Sequence, residues 1–184
     1  EIELNPSKEK IKTKLYQFKK RIREIAPHKV EFIFYFSGHS DKKGLLLKNK
    51  MYPYAELIKD LDSLEANIQI VILDSCFSGT FTRLKGGQIY PPFIISSTNN
   101  SEGYAYITAC SDKEASQESD NIKASYFSHA LCEGLKGAAD ANRDGYINLN
   151  EAYQYAYDRT IIITNNTIGG TQHPAYHLNL SGKG

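Results

Sequence analysis

Two apolar, β-rich runs in this chain each stop at a reactive side chain. Phe34-Tyr35-Phe36-Ser37-Gly38-His39 ends at an imidazole, and Ile72-Leu73-Asp74-Ser75-Cys76-Phe77-Ser78-Gly79 turns at a thiol. Between them, Tyr54 to Leu64 follows Pro53 with helical spacing, and a helix between two such strands implies a right-handed parallel crossover. In an open parallel α/β sheet, side chains just past the carboxyl ends of adjacent strands face one crevice. His39 and Cys76 lie 37 positions apart in the chain, yet adjacent strands bring them within reach.

The pairing of residue types carries chemistry. A cysteine attacks as its thiolate, an ordinary thiol has a pKa of about 8.5, and a neighbouring imidazole or helix N-terminus moves it into working range. His39 can also protonate a leaving amine. The alternative, a small buried cysteine and a satisfied loop histidine, is the common fate of these residues in isolation. Their placement after two strand-like runs, in Ser/Gly-rich turns, favours a Cys-His dyad. Asp74 stands two residues before Cys76 at a strand end, so its side chain projects to the same side as the thiol. A carboxylate there favours a cationic substrate residue through a charge-assisted contact and repels an acidic one. The alternative for Asp74 is a cap on the turn that follows it.

A second motif runs from Asp140 to Glu151. Asp140, Asn142, Asp144 and Asn148 place oxygen side chains at positions 1, 3, 5 and 9 of a twelve-residue loop, with Gly145 at 6, Ile147 at 8 and Glu151 at 12. This is the pattern of an EF-hand calcium loop, to which Tyr146 contributes its backbone carbonyl. The helix-loop-helix spans about 125–160. Calcium is the expected cofactor, and no organic cofactor motif is visible. The alternative is an acidic turn that binds nothing, since EF-hands usually work in pairs.

A chain of 184 residues with 41% hydrophobic content suits one domain over 1–184 with a single sizeable core. A net charge of +1 gives no electrostatic case for nucleic acid or an acidic membrane as partner. Lys8, Lys10, Lys12, Lys14, Lys19, Lys20, Arg21 and Arg23 cluster early, but Ile11, Leu15, Phe18, Ile22 and Ile25 recur among them at helical spacing. That reads as the solvated face of a helix starting near Asn5-Pro6-Ser7 and ending at Pro27. Cys76, Cys110 and Cys132 have neither disulfide nor zinc-site spacing, so a reducing, cytoplasmic setting is expected. No apolar run approaches the ~20 residues of a membrane helix. Strands are expected over Val30 to Phe36, Ile68 to Leu73 and Tyr104 to Ala109, with a hairpin over Gly44 to Tyr52. Helices are expected over Ser125 to Lys136 and Asn150 to about Thr160, and loop over Thr80 to Ser101. His129, three residues from Cys132, reads as packing; His173 and His177 lack a matching cysteine or carboxylate pattern, and His28 sits in a loop.

Together these motifs resemble the caspase-like cysteine proteases, and the bacterial homologues and metacaspases more than animal caspases. Tyr35-Phe36-Ser37-Gly38-His39-Ser40 is similar to the histidine motif, and Asp74-Ser75-Cys76-Phe77-Ser78-Gly79 to the cysteine motif. Ile107 to Glu118 resembles the strand and loop that follow the catalytic strands, Tyr126-Phe127-Ser128 the start of the next helix, and Thr171-Gln172-His173-Pro174 the closing turn, so the resemblance runs from about Asn5 to Leu180. It implies a three-layer α/β fold, with a mainly parallel central sheet and helices on both faces. It also implies a cysteine endopeptidase whose oxyanion hole uses the backbone N–H groups of Ser40 and Cys76. Ser37 and Asp74, with Asp112 as a second carboxylate, would line a pocket for arginine or lysine, and Arg83 and Lys85 become candidate self-cleavage points. Metacaspase resemblance also suggests calcium dependence. Two departures stand out. Ser40 replaces the family's usual glycine, a change that leaves the backbone N–H in place. Only Glu1-Ile2-Glu3-Leu4 precede Asn5, where family domains open with a strand and loop, so an upstream N-terminal segment is expected. The competing function is a calcium-responsive interaction module that keeps the fold with little turnover. An esterase or transferase using the same thiolate has no supporting cofactor motif.

Overall fold

A computed structural model of the chain describes residues 1–25, 29–48, 50–78, 81, 102–111, 114–120 and 122–181. The elements run α1 (Lys8–Ile25), β1 (Glu31–Ser37), β2 (Gly44–Leu47), β3 (Lys50–Pro53), α2 (Tyr54–Asp62), β4 (Ile68–Asp74), β5 (Glu102–Thr108), β6 (Glu118–Ser119), β7 (Ala124–Ser125), α3 (Tyr126–Glu133), α4 (Leu149–Thr164) and β8 (Ala175–Ser181), with a π-helical turn over Gly134–Ala138. Four strands form the central sheet in the order β1-β4-β5-β8. β1, β4 and β5 are parallel, and β8 pairs antiparallel to β5. The parallel pairing expected of these two strands is present: β1 and β4 are neighbours, with the β2–β3 hairpin and α2 between them in the chain.

Two hydrophobic clusters sandwich this sheet, and strand alternation divides the side chains between them. On one side Ile11, Leu15 and Ile22 of α1 and Leu57 and Leu61 of α2 pack with Phe32, Val71, Leu73 and Tyr106. On the other, Phe127, Ala130 and Leu131 of α3 and Ala152, Tyr153 and Ala156 of α4 pack with Ile107 and Tyr176. Tyr106 and Ile107 are consecutive in β5 yet belong to opposite clusters. α1 thus buries Ile11, Leu15 and Ile22 of the expected apolar stripe and part of Phe18, while Ile25 at its end stays exposed; its basic residues face outward and pair with carboxylates: Lys12 with Glu56 at 2.8 Å and Arg23 with Glu65 at 2.7 Å. Fully burying one such aliphatic side chain contributes about 1.5–3 kcal/mol, whereas an exposed ion pair adds about 0–1 kcal/mol, so the stripe holds α1 in place.

The hairpin is tight. A Cβ at Gly44 would lie 2.2 Å from the Tyr52 carbonyl oxygen, so only glycine allows β2 and β3 to approach there. Leu45, Tyr52 and Tyr54 are fully buried beneath it. The helix expected over Ser125 to Lys136 has Ser125 as its N-cap, accepting from the Ser128 N–H, and closes its α segment at Glu133. β8 was not among the strands expected from sequence. The stretch from Thr80 to Ser101, apart from buried Phe81, lies outside the described residues, as do His28, Asp112, Arg83 and Lys85. No helix among the described residues is long and apolar enough to cross a membrane.

Candidate active site

The register of β1 against β4 decides where the two reactive residues meet. Ser37 and Asp74 are the last paired residues, and the Gly38 N–H continues the ladder to the Asp74 carbonyl at 3.1 Å. His39 and Cys76 each lie two residues past that pair, at the carboxyl ends of neighbouring strands. Parallel neighbours run about 4.8 Å apart, so both emerge at one place. The Ser40 hydroxyl donates to the Cys76 carbonyl and fastens the histidine turn to the cysteine turn. Ser40 also bridges Leu45: the Leu46 N–H reaches the His39 carbonyl at 2.8 Å and the Asp41 N–H reaches Gly44 at 3.0 Å. In such an antiparallel pair those two N–H groups close the bridge, and the N–H of Ser40 itself points away from the hairpin. The structure therefore joins Ser40 and Cys76, whose amides are the expected oxyanion donors, and leaves the Ser40 amide unspent on the hairpin.

The turn bearing the thiol is held from several sides. Phe77 adopts a left-handed conformation, φ 52°, which costs a bulky residue about 1–2 kcal/mol. Its N–H donates to the Glu114 carbonyl at 3.0 Å, and Lys42 Nζ lies 5.8 Å from its ring centre. Beneath, the buried Cys110 Sγ stands 3.2 Å from the carbonyl oxygens of both Ser75 and Glu114. Burial pushes its thiol up to about 11, so Cys110 is a neutral packing group and no second nucleophile. Cys76 is half-buried, with Sγ 4.0 Å from the Ser116 carbonyl, and His39 is exposed.

Among the described residues Asp74 caps no backbone group of its own turn. Asp74 is 3% exposed, and its carboxylate accepts three hydroxyls from two segments: Ser116 on Oδ1 at 2.9 Å, and Ser125 and Ser128, at the start of α3, on Oδ2. The Tyr35 hydroxyl lies 2.6 Å from Ser128 Oγ. Among the described residues no cation stands within ion-pair distance of this carboxylate. Sequence reasoning placed Ser37 and Asp74 here and missed Ser116, Ser125, Ser128 and Tyr35. The signal available was the serine N-cap at Ser125, which puts Ser128 one turn further on the same helix face. Asp112, the expected second carboxylate, lies outside the described residues.

Other expected sites fall away from this centre or change meaning. His173 does have a carboxylate partner: its Nδ1 stands 2.8 Å from Glu114 Oε1, and its N–H donates to Oε2 at 2.8 Å. His129 lies 3.4 Å from Glu133 on α3. In the loop from Asp140 to Glu151, the Asp140 carboxylate accepts from the N–H groups of Asp144 at 3.2 Å and Gly145 at 3.0 Å. Asp144 accepts from Tyr146 at 2.8 Å, and Gly145 takes the positive φ of 83° that the turn needs. These hard oxygen donors suit calcium chemically. Glu151, however, serves as half of a capping box with Asn148 at the start of α4. Among the described residues no three His, Cys, Asp or Glu side chains converge as a metal-holding group.

The caspase-domain family model matches residues 1–183. Among solved structures, the crystal structure of caspase-1 from Spodoptera frugiperda superposes with a TM-score of 0.65 at 15% identity, covering 94% of this chain and 68% of that one. No curated protein matches the chain.

Proposed function

Because the chain belongs to the caspase-domain family and is a cysteine-type peptidase, we propose that it cuts polypeptides after arginine or lysine, with Cys76 as nucleophile and His39 as acid and base. Asp74 carries the substrate reading. A carboxylate removed from water that, among the described residues, is held by neutral hydroxyls and no cation has its counter-charge supplied by an arriving guanidinium or ammonium. An aspartate side chain would meet like charge instead.

In the proposed reaction His39 takes the Cys76 proton and the sulfur adds to the scissile carbonyl. The oxygen, now bearing the charge, is received by the amides of Ser40 and Cys76. As the C–N bond breaks, His39 returns its proton to the leaving amine, and a thioester remains on Cys76. Water then loses a proton to His39 and adds to the thioester carbon, and the thiolate departs and is reprotonated. Asp74 and Ser37 hold the basic side chain so that its carbonyl meets the sulfur.

The loop from Asp140 to Glu151 belongs to the same reading as a calcium site, held by Asp140, Asn142, Asp144, Asn148, Glu151 and the Tyr146 carbonyl. Calcium there would supply a fixed positive charge bracing α4 against the turn before it, with Glu151 leaving its helix cap to reach the ion. Arg83 and Lys85 are the self-processing candidates. Three free thiols fit a reducing, cytoplasmic compartment.

The test compares fluorogenic peptides ending in Arg, Lys or Asp, with calcium and with chelator, for the native protein, Cys76→Ala and Asp74→Asn. Cleavage after Arg and Lys is expected, abolished in Cys76→Ala and lowered about 10–100-fold in Asp74→Asn, the worth of a charged hydrogen-bonded contact. Cleavage after Asp would overturn the substrate reading. Calcium-dependent thermal stabilisation, lost in Glu151→Gln, tests the loop without relying on activity.

A further inference from the structure

The hydrogen bonds around Asp74 have a direction, and that direction selects what the site can take. A carboxylate only accepts, so the protons of Ser116, Ser125 and Ser128 all point at Asp74. With the Ser128 proton committed, the 2.6 Å contact to Tyr35 has one polarity: the phenol donates to Ser128 Oγ. The Ser125 oxygen in turn accepts the Ser128 N–H at 3.0 Å. Among the described residues these four hydroxyl protons are thus spoken for, and at these groups a newcomer meets oxygen lone pairs. Asp74 Oδ1 has accepted once, whereas Oδ2 has accepted twice.

Tyr35 stands at the open side of this array. It pairs with Ile72 in the β1–β4 register, two residues before the Ser37–Asp74 pair, so Tyr35, Ser37 and Asp74 share one face of the sheet. Half of its surface is exposed, at 50%. Its hydroxyl is one hydroxyl bridge away from the carboxylate, with its proton turned inward; its oxygen interacts with the Ser37 hydroxyl beside it and keeps further capacity to accept.

Building on the basic-residue reading above, we infer that Tyr35 is a specificity-determining residue that makes this site prefer arginine to lysine. A guanidinium presents five N–H donors in a rigid plane, more than Asp74 can satisfy once three hydroxyls occupy it. The phenol oxygen accepts a donor that would otherwise be buried without a partner. Lysine's compact ammonium has three donors that rotate toward Asp74 or solvent and does not depend on a second acceptor at a fixed place.

Tyr35→Phe removes that oxygen and keeps the ring, and Ser128→Ala removes the bridge that orients it. Each is assayed with matched Arg and Lys peptides, alongside Asp74→Asn and a thermal melt of every variant. In Tyr35→Phe, kcat/KM for Arg is expected to fall about tenfold and that for Lys by less than about threefold, at an unchanged melting temperature. Ser128→Ala is expected to move the ratio in the same direction. An unchanged Arg/Lys ratio, or an equal loss on both peptides, overturns the role of Tyr35 while leaving cleavage after basic residues intact. If Asp74→Asn also cleaves both peptides normally, the basic-residue reading falls first and this inference with it.

Discussion

Cys110 and Tyr54 show how strongly burial governs the residues under the nucleophile turn. Burial pushes the Cys110 thiol up to about 11 and the Tyr54 phenol up to about 12. Both are raised above their unfolded values, so each contributes stability that is fully present below the unfolded pKa and is lost as pH rises through the folded one. From neutral pH upward, thermal melts are expected to hold to about pH 9 and to fall between about pH 9 and 12. Cys110→Ala should flatten the first part of that fall, whatever its effect at neutral pH; an identical slope in the variant would discount the thiol. At this scale Cys76, His39 and Asp74 were legible in sequence because each closes a strand-like run. Ser116, Ser125 and Ser128 were not, because nothing local marks a loop serine and two serines at a helix start as partners of one distant carboxylate.

Among the elements, α4 shows the clearest local encoding. Asn148 accepts the Glu151 N–H at 3.0 Å, and Glu151 Oε2 accepts the Asn148 N–H at 3.1 Å, a reciprocal cap that starts the helix at Leu149. Asn148→Ala is expected to cost about 1 kcal/mol in chemical denaturation in the presence of chelator. A cost below about 0.3 kcal/mol would mean that packing of α4, rather than its cap, sets where the helix begins. The strands β1, β4 and β5 were readable from dense aromatic and β-branched runs, and β2–β3 from Gly44 and the apolar residues after it. β8 alternates apolar and polar over Tyr176, His177, Leu178 and Asn179, a half-buried pattern that was available in sequence. The helix from Ser125 ends its α segment at Glu133 because the chain enters a π-helical turn over Gly134–Ala138, where Gly137 takes φ 124°.

At the scale of the whole molecule, Gln172 ties together parts of the chain that no local signal connects. It is fully buried; its amide donates to the Ala109 carbonyl at 2.7 Å and accepts the Gln117 N–H at 2.8 Å, while its own N–H reaches Thr164 Oγ1 at 2.9 Å. The end of β5, the segment carrying Ser116 and the end of α4 therefore meet on one side chain. Gln172→Ala leaves the buried Ala109 carbonyl and the partly buried Gln117 N–H without this partner, and a loss of about 2–4 kcal/mol in denaturant-induced unfolding is expected. A loss below about 1 kcal/mol would show that water takes its place. The sequence by itself determined the α/β class, the strand ends that bear His39 and Cys76, and the apolar stripe of α1, because these depend on spacing and side-chain type within short windows. Only the tertiary structure decided that Asp74 is shared by three serines and approached by Tyr35, and that Glu114 holds both Phe77 and His173. Such contacts join segments up to 93 positions apart, and they exist only once the register of β1 on β4 and the seating of α3 beside them are set.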